Sequence, residues 1–430
     1  MKISFHTLGC KVNQYETQVL KEKLGEAGFE IAKKGETADI CVVNSCTVTS
    51  VSDRKTRQII SKARRGGDVF LVLTGCFVSA FAKEAAGLDV DLLIPNEEKM
   101  KLPELLSERF GEQINTRVKV PRNALPECRT RAFLKIQDGC NRSCSYCIIP
   151  KSRGMSHSKS LDEIKTQVSK LAERGFKEIV LVGINLLFYG EDIGCELADA
   201  VELVCGDPKI QRVRIGSLEP EVVTRRLLVR LLQQQKFCPH FHISLQSGSN
   251  EVLRNMNRHY TAQEYEANVG MIRELFKDAS ITTDVIVGFP GETELDFEES
   301  LEFVRRMKFA KVHIFPYSRR LGTKAALMEQ VAAEVKKRRF ERMNVVAKAG
   351  QREFYLRMVG RTESVLFESA VGTAGQFRGY TPNYVGVLFA SGDDPRNEIV
   401  KLRIVAADEN GCVGVKITND WPRKQKGRAY

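Results

Sequence analysis

Residues 132–150 read AFLKIQDGCNRSCSYCIIP, a short strand pattern that runs directly into three closely spaced cysteines. Cys140, Cys144 and Cys147 have C-x3-C-x2-C spacing, so their thiolates can surround one metal centre, and soft sulfur suits iron–sulfur clusters or zinc. Three ligands on a cluster of four irons leave one iron open, as a catalytic cluster requires. A structural zinc would need a fourth ligand, and Cys128 or His157 could supply it.

Five more strand patterns follow this one, and amphipathic helices separate them. Repeated βα units predict a TIM-like barrel, and six units predict an incomplete one, (β/α)6. Such barrels hold their chemistry at the carboxyl ends of the strands, which is where the cysteine run begins. The five patterns are KEIVLVGIN (177–185), RVRIGS (212–217), HFHISLQSG (240–248), ITTDVIVGFPG (281–291) and KVHIFPYS (311–318).

Three earlier strand patterns also stop at a cysteine: ISFHTLGC (3–10), DICVVNSC (39–46) and VFLVLTGC (69–76). Helical patterns between them predict an open parallel sheet, whose strand ends share one edge where ligands gather. Neighbouring strands lie about 5 Å apart, so Cys10, Cys46 and Cys76 are expected to meet despite their separation in sequence. The alternative is that all three are structural. Cys41 lies inside its strand and is interpreted as a small buried hydrophobe.

Composition narrows the class of protein. The chain has 430 residues, 43% of them hydrophobic, and a net charge of +12. Its length predicts several domains, which we place at 1–117, 126–356 and 357–425. The basic charge favours nucleic acid as a partner, with a solvated basic surface as the alternative. The 12 cysteines, with no signal-peptide pattern and no membrane-spanning apolar run, favour a cytoplasmic protein with metal or redox chemistry.

The last part of the chain has short strand patterns and turns, and predicts a small β-barrel. Its segment FRGYTPNYVGVLF (377–389) places Arg378 and Tyr380 among further aromatics, a composition that suits single-stranded RNA. These aromatics could equally fill the barrel core. The preceding KKRR run could bind phosphate or form a solvated helix face; it comprises Lys336, Lys337, Arg338 and Arg339.

The cysteine run with Tyr146 before its third cysteine resembles the cluster motif of the radical S-adenosylmethionine enzymes. The layout as a whole, with GCKVNQYETQ (9–18), NSCTVT (44–49) and LTGC (73–76), resembles the methylthiotransferase family. The resemblance implies two [4Fe-4S] clusters, an auxiliary one on Cys10, Cys46 and Cys76 and a radical one on Cys140, Cys144 and Cys147. It also implies S-adenosylmethionine as methyl donor and radical source, and a C-terminal TRAM domain for RNA.

Within that family, KVNQYET is most similar to the branch that acts on N6-threonylcarbamoyladenosine in tRNA. The implied reaction inserts a methylthio group at carbon 2 of that nucleoside at position 37, beside the anticodon. The implied partners are the tRNA anticodon stem-loop and an electron donor such as flavodoxin or ferredoxin, without a membrane. Isopentenyladenosine in tRNA or a ribosomal protein are alternative substrates. A non-enzymatic alternative is an RNA-binding protein with structural metal sites.

Further residues at or just past the predicted strand ends are candidate contacts to S-adenosylmethionine. Each of them could instead have a structural role, as a helix cap, a turn residue or a charge on a helix face. These candidates are Tyr146, Gly183, Asn185, Ser217, Glu219, Gln246 and Arg258.

Overall fold

The N-terminal unit is a parallel sheet with helices on both faces. The protein is described here by a computed structural model, which covers residues 1–33, 35–111, 130–372 and 375–417. The strands are β1 (Lys2–Thr7), β2 (Glu30–Ile31), β3 (Ile40–Ser45), β4 (Phe70–Gly75) and β5 (Leu92–Ile94). The helices are α1 (Lys11–Glu26), α2 (Ser50–Arg65), α3 (Cys76–Ala80), α4 (Ala82–Ala86) and α5 (Leu102–Phe110). Their order in the sheet, β2-β1-β3-β4-β5, makes the three cysteine-terminated strands direct neighbours, as predicted.

The middle unit is the expected incomplete barrel of parallel strands. Its strands are β6 (Arg131–Lys135), β7 (Gln137–Asp138), β8 (His157–Ser158), β9 (Glu178–Val182), β10 (Arg212–Ile215), β11 (Ser217–Leu218), β12 (His240–Ile243), β13 (Ser280–Val287) and β14 (Lys311–Pro316). The six predicted strands form two parallel groups, β6-β9-β10 and β12-β13-β14, and β11 extends the second group beside β12. The short strands β7 and β8 form a separate antiparallel pair. A parallel bridge between Val213 and Phe237 joins the two groups.

Helices connect these strands, and all but α6, which packs against the N-terminal unit, surround the barrel. They are α6 (Ile149–Arg153), α7 (Leu161–Glu173), α8 (Leu197–Gly206), α9 (Arg225–Leu232), α10 (Asn250–Asn255), α11 (Ala262–Leu275), α12 (Glu294–Met307) and α13 (Ala333–Leu356). Capping boxes begin α7, α11 and α12, where the side chain of a serine or threonine and that of an acidic residue each accept a backbone N–H. The fold class predicted from sequence is therefore confirmed for this unit.

Successive side chains of the barrel strands alternate between the helical layer and the interior. On β12, Phe241 and Ile243 belong to the core that packs against the helices, so His240 and His242 point to the interior. The inner face of β9 is apolar at its carboxyl end. There Val12 of α1 packs against Val180 and Val182 of β9, so the N-terminal unit covers part of the barrel interior.

The C-terminal unit is a small closed barrel with the strand order β15-β16-β17-β19-β18. Its strands are β15 (Thr362–Ala370), β16 (Gln376–Tyr380), β17 (Gly386–Ala390), β18 (Ile399–Ala407) and β19 (Cys412–Lys416). Phe377 and Phe389 are buried in its core. For these two aromatics the structure therefore agrees with the alternative that they fill the barrel core. The predicted limits 117, 126 and 425 fall outside the described residues, so the domain boundaries remain predictions.

The C-terminal unit packs across the amino ends of the first barrel strands. Arg212 donates hydrogen bonds to the carbonyl oxygens of Tyr380 (2.9 Å) and Ser364 (2.6 Å), and Arg214 donates one to that of Pro382 (2.8 Å). The ring of Tyr384 lies between the guanidinium groups of Arg131 and Arg214, at 4.8 and 4.7 Å. Buried cations of one unit are thus satisfied by the backbone and aromatic rings of the other.

Candidate active site between the N-terminal sheet and the barrel

The first cysteine group lies at the carboxyl edge of the N-terminal sheet. Cys10 caps the N-terminus of α1, Cys46 directly follows β3, and Cys76 opens α3 directly after β4. Electrostatic interactions couple the thiol of Cys46 to those of Cys10 and Cys76, so the three groups share one small region. Burial raises the pKa of Cys46 to about 11. In the absence of a positive centre this thiol stays protonated at neutral pH.

Two glycines allow the cysteine loops to approach closely. Gly9 has a φ of +96°, and a Cβ added there would lie 2.6 Å from both Cβ and Sγ of Cys46. Gly75 has a φ of +97°, and its added Cβ would lie 2.5 Å from the carbonyl oxygen of Ser45. Only glycine fits both the left-handed backbone and the contact. The turn glycine before each of these two cysteines is therefore part of how the group is assembled.

Asn13 connects the loops that carry Cys10 and Cys46. Its side-chain amide donates to the carbonyl oxygens of Leu8 (2.8 Å) and Ser45 (2.9 Å). Its Oδ1 in turn accepts a hydrogen bond of 2.6 Å from Arg153 of the barrel. One buried amide thus fixes two loops of the sheet and ties them to the neighbouring unit.

A buried network of charges joins the two units beside this amide. Glu16 is 2% exposed and accepts from Lys99 (2.6 Å), Lys135 (2.8 Å) and Arg153 (3.0 Å). Arg153 also donates to Asp138 at 2.9 Å. Burial on its own would raise the pKa of Glu16, but the three cations hold it well below its usual range. These residues were missed from the sequence, although Asn13 and Glu16 lie within the KVNQYET segment at helical spacing.

The second cysteine group follows the first barrel strand. Its backbone is fixed by hydrogen bonds from the amide of Cys140 to the carbonyl of Gly154 (3.1 Å) and from that of Ser145 to the carbonyl of Met256 (3.0 Å). Side chains donate to two of the sulfurs: Asn185 to Cys140 at 3.6 Å and Arg258 to Cys144 at 3.4 Å. Burial raises the pKa of Cys147 to about 12. This thiol, too, needs a positive centre to ionise.

Comparison with known proteins agrees with this geometry. Residues 134–304 match the model of the radical SAM superfamily, and residues 2–94 match that of uncharacterized protein family UPF0004. A threonylcarbamoyladenosine tRNA methylthiotransferase MtaB of Bacillus subtilis (strain 168) is 36% identical over 94% of each chain. The protein of the same name from Aquifex aeolicus (strain VF5) is 40% identical over 84% of this chain and 91% of its own.

The chain belongs to the tRNA methylthiotransferase family. Members named tRNA-2-methylthio-N(6)-dimethylallyladenosine synthase also match it, at 32% and 31% identity. Among solved structures, the radical S-adenosylmethionine methyltransferase TsrM from Kitasatospora setae has a TM-score of 0.55 at 16% identity. That match covers 76% of this chain and 77% of the TsrM chain. At that identity the likeness concerns the fold alone.

Of the other predicted cofactor contacts of this methylthiotransferase, the structure brings Asn185, Arg258 and Glu219 to the second cysteine group. Arg258 pairs with Glu219 and contacts Cys144. Gly183 lies against the Gln137 side chain, where an added Cβ would be 2.8 Å from Oε1. Gln246 has a left-handed backbone with a φ of +64° and bonds to the backbone of β13. Ser217 is exposed on β11.

Tyr146, the aromatic before the third cysteine, takes a structural position. Its ring packs edge-on against Phe289 at 6.3 Å between centroids, in a cluster that also holds Val252, Met256 and Tyr317. Its predicted role toward the cofactor remains untested. The ring anchors the cysteine loop to the turn after β13.

The predicted RNA-binding residues of this methylthiotransferase do not form one surface. Arg339 is 4% exposed and pairs with Glu292 and Glu294, and this buried pairing makes it unavailable to RNA phosphate. Lys336 lies over Gly288, where an added Cβ would be 2.2 Å from its Cγ. Lys337 and Arg338 are exposed. Tyr380 stacks on Tyr384 at 4.9 Å, beside Arg378 on β16.

No helix in the described part of the chain is long and apolar enough to cross a membrane.

Among the described residues, one group of three His, Cys, Asp or Glu donors has ligand atoms that all lie within 4.8 Å of one another. It consists of His242, Asp284 and His313.

Proposed function

We propose that this chain transfers a methylthio group to carbon 2 of N6-threonylcarbamoyladenosine at position 37 of tRNA. The proposal is supported by relatives of that name, which align with this chain over most of its length. The observation that carries it is the joining of two cysteine groups across one interface through Asn13, Glu16 and Arg153. A reaction that needs two cysteine-held centres requires them to be held at a fixed separation, and this buried contact provides it.

Each cysteine group suits a [4Fe-4S] cluster. A structural zinc site takes four protein ligands, whereas each group offers three cysteines, the number that leaves one iron of a four-iron cluster open. The cationic irons would also stabilise thiolates at Cys46 and Cys147, whose pKa values burial raises. When bound, the two clusters supply the electron that cleaves S-adenosylmethionine and the sulfur that is transferred.

We assign Cys140, Cys144 and Cys147 to the cluster that takes S-adenosylmethionine, and Cys10, Cys46 and Cys76 to the auxiliary cluster. Asn185 and Arg258 then donate hydrogen bonds to the ligand sulfurs of Cys140 and Cys144, which fixes the orientation of these side chains and stabilises their negative charge. Gly183, Ser217, Glu219 and Gln246 surround the same strand ends. They remain the proposed contacts to S-adenosylmethionine.

The proposed RNA partner is the anticodon stem-loop of tRNA. Lys337 and Arg338 on α13, together with Arg378 on the C-terminal barrel, are the predicted cations that remain available to phosphate. An electron donor such as flavodoxin or ferredoxin would reduce the cluster, and we propose that the enzyme acts in the cytoplasm.

The function is tested by mass spectrometry of tRNA nucleosides from a host strain that lacks its own methylthiotransferases. Expression of this chain should produce 2-methylthio-N6-threonylcarbamoyladenosine, and the Cys144→Ala chain should not. Appearance of only the methylthio form of isopentenyladenosine would move the chain to the other tRNA branch. Absence of every methylthio nucleoside would contradict the tRNA proposal.

A substitution at Gly9 tests the auxiliary site without removing a cysteine. In Gly9→Ala the new Cβ would collide with Cys46, and we expect iron content to fall by about half because one cluster is lost while the other remains. The matched control is Gly35→Ala, which has a similar φ of +92° but open space at the added Cβ. It should lose about 1 kcal/mol of stability to backbone strain and keep its iron. Equal iron loss in both variants would show that strain, and not the contact with Cys46, is responsible.

A further inference from the structure

The barrel interior of the middle unit contains a polar chamber, whose lining residues belong to neither cysteine group. His242, Asp284 and His313 come from the neighbouring strands β12, β13 and β14. Their strand neighbours Ile243, Val285 and Ile314 pack toward the helices, so the three polar side chains share the inner face. The interior under β9 is apolar by contrast.

Side-chain contacts hold the chamber residues in place. His242 Nε2 lies 3.3 Å from Asp284 Oδ2, and its Nδ1 lies 2.9 Å from the Thr282 hydroxyl. These contacts fix the imidazole ring, while the side chain of Asp284 keeps 28% of its surface exposed. The carboxylate can therefore still accept a hydrogen bond from a ligand.

Lys11 brings a cation to the same space from the N-terminal unit. Its ammonium group interacts electrostatically with Asp284, Arg131 and Arg214. Arg131 and Arg214 are committed to Glu368 and Glu178. Lys11 makes no hydrogen bond or ion pair with any part of the chain that the structure describes. A half-buried, unpaired cation at a polar chamber favours a ligand with an anionic group.

The chain also connects the chamber to both proposed sites. Lys11 directly follows Cys10. On the other side, the backbone amide of Gln246 donates to the carbonyl oxygen of Asp284 at 2.9 Å, and Gln246 is a proposed contact of the S-adenosylmethionine site. Phe315 lies two residues beyond His313 on the same face and is 42% exposed. An exposed aromatic ring there suits the stacking of a base.

We propose that Lys11 binds the carboxylate, and Asp284 with His242 and His313 the hydroxyl and carbamoyl groups, of the threonylcarbamoyl substituent on the target adenosine. This inference rests on the proposed function. The substituent carries a carboxylate, a hydroxyl and a urea-like carbamoyl, and these match a cation, an acceptor and two imidazoles. A dimethylallyl group would leave all of them unpaired, which a buried polar site penalises strongly. A divalent metal on the same three donors is disfavoured by the nearby cations.

The test compares anticodon stem-loop RNAs that differ only in the substituent. They carry N6-threonylcarbamoyladenosine, its methyl ester, or N6-glycylcarbamoyladenosine, which lacks the hydroxyethyl group. The reconstituted wild-type enzyme should prefer the acid to the ester by about 10- to 100-fold in kcat/KM, because an ion-paired hydrogen bond is lost. Lys11→Met should reduce that ratio to about one, and Lys11→Arg should restore it.

Two other variants separate the parts of the chamber. Asp284→Ala should equalise the threonyl and glycyl substrates, and it does not depend on cluster assembly near Cys10. Phe315→Ala should weaken binding of all three RNAs alike, measured by fluorescence anisotropy, because stacking does not depend on the substituent. Iron content and S-adenosylmethionine cleavage should stay at wild-type levels in Lys11→Met.

The outcomes distinguish this inference from the function on which it rests. A wild-type enzyme that modifies none of these RNAs, but does modify an added stem-loop that carries N6-dimethylallyladenosine, would refute the proposed function. An enzyme that modifies the threonyl substrate while Lys11→Met keeps the full acid preference would overturn the chamber alone. So would a stoichiometric zinc or manganese ion that is lost in His242→Ala.

Discussion

Replacing Cys10 by alanine should stop methylthio transfer while leaving S-adenosylmethionine cleavage intact. Cys10 lies in the sheet-edge group, away from Cys140, Cys144 and Cys147, so its loss should remove the auxiliary cluster only. We expect product to fall by at least about 100-fold, and 5′-deoxyadenosine formation to stay within about threefold of the wild type. Iron per chain should fall from about eight to about four. Mass spectrometry of nucleosides and of 5′-deoxyadenosine, with anaerobic iron counting, measures all three quantities.

Two variants make this result specific. Cys41 is buried inside β3, next to the site but not at the strand end, and Cys41→Ala should keep both activities and all the iron. Cys144→Ala should abolish both activities, because cleavage precedes transfer. Loss of cleavage in the Cys10 variant would show that the two cysteine groups do not act separately.

Replacing Glu16 by alanine should weaken the contact between the two units. The change leaves the ammonium of Lys99 and the guanidinium of Arg153 buried beside each other without their shared carboxylate. Removing one partner of such a buried pair costs about 3–5 kcal/mol. Hydrogen exchange of the peptides that contain α1 and β3 measures this as faster opening of the N-terminal sheet.

The control is another glutamate of the same helix. Glu22 pairs with Arg174 at 2.8 Å, but the two side chains are 32% and 28% exposed. Solvent screens the pair, so Glu22→Ala should cost at most about 1 kcal/mol. A similar small effect for Glu16→Ala would mean that the network contributes little beyond replaceable hydrogen bonds.

The sheet-edge cysteines were predictable because parallel strands carry their carboxyl ends to one side. A strand pattern and its last residue were enough to bring Cys10, Cys46 and Cys76 together. The interface was not predictable in this way. Glu16 and Arg153 are 137 positions apart, and each looks like an ordinary surface charge. Their burial depends on how two whole units pack, which no local pattern encodes.

For the KKRR run (336–339), the sequence suggested a shared feature that the structure does not show. Four adjacent cations suggest one basic patch, but consecutive helical residues point in directions about 100° apart. Arg339 therefore points inward to Glu292, and Lys336 lies across the turn at Gly288. Lys337 and Arg338 are left to face solvent. The chamber residues were missed from the sequence. A histidine or aspartate at alternate positions of a strand pattern looks like a polar residue that interrupts the core, unless it is known that the inner face of the barrel has room for polar groups.

The contacts of Arg212 and Arg214 with the C-terminal barrel bear on the order in which the protein is made. During synthesis the middle unit emerges first, and until residues 364–384 follow, these two guanidinium groups have no carbonyl oxygens of Ser364, Tyr380 or Pro382 to bind. Arg214 keeps its ion pair with Glu178 in the meantime, and packing of the last strands then covers both guanidinium groups and supplies these carbonyl oxygens. The C-terminal barrel therefore completes the hydrogen bonding of arginines that belong to a unit synthesised before it.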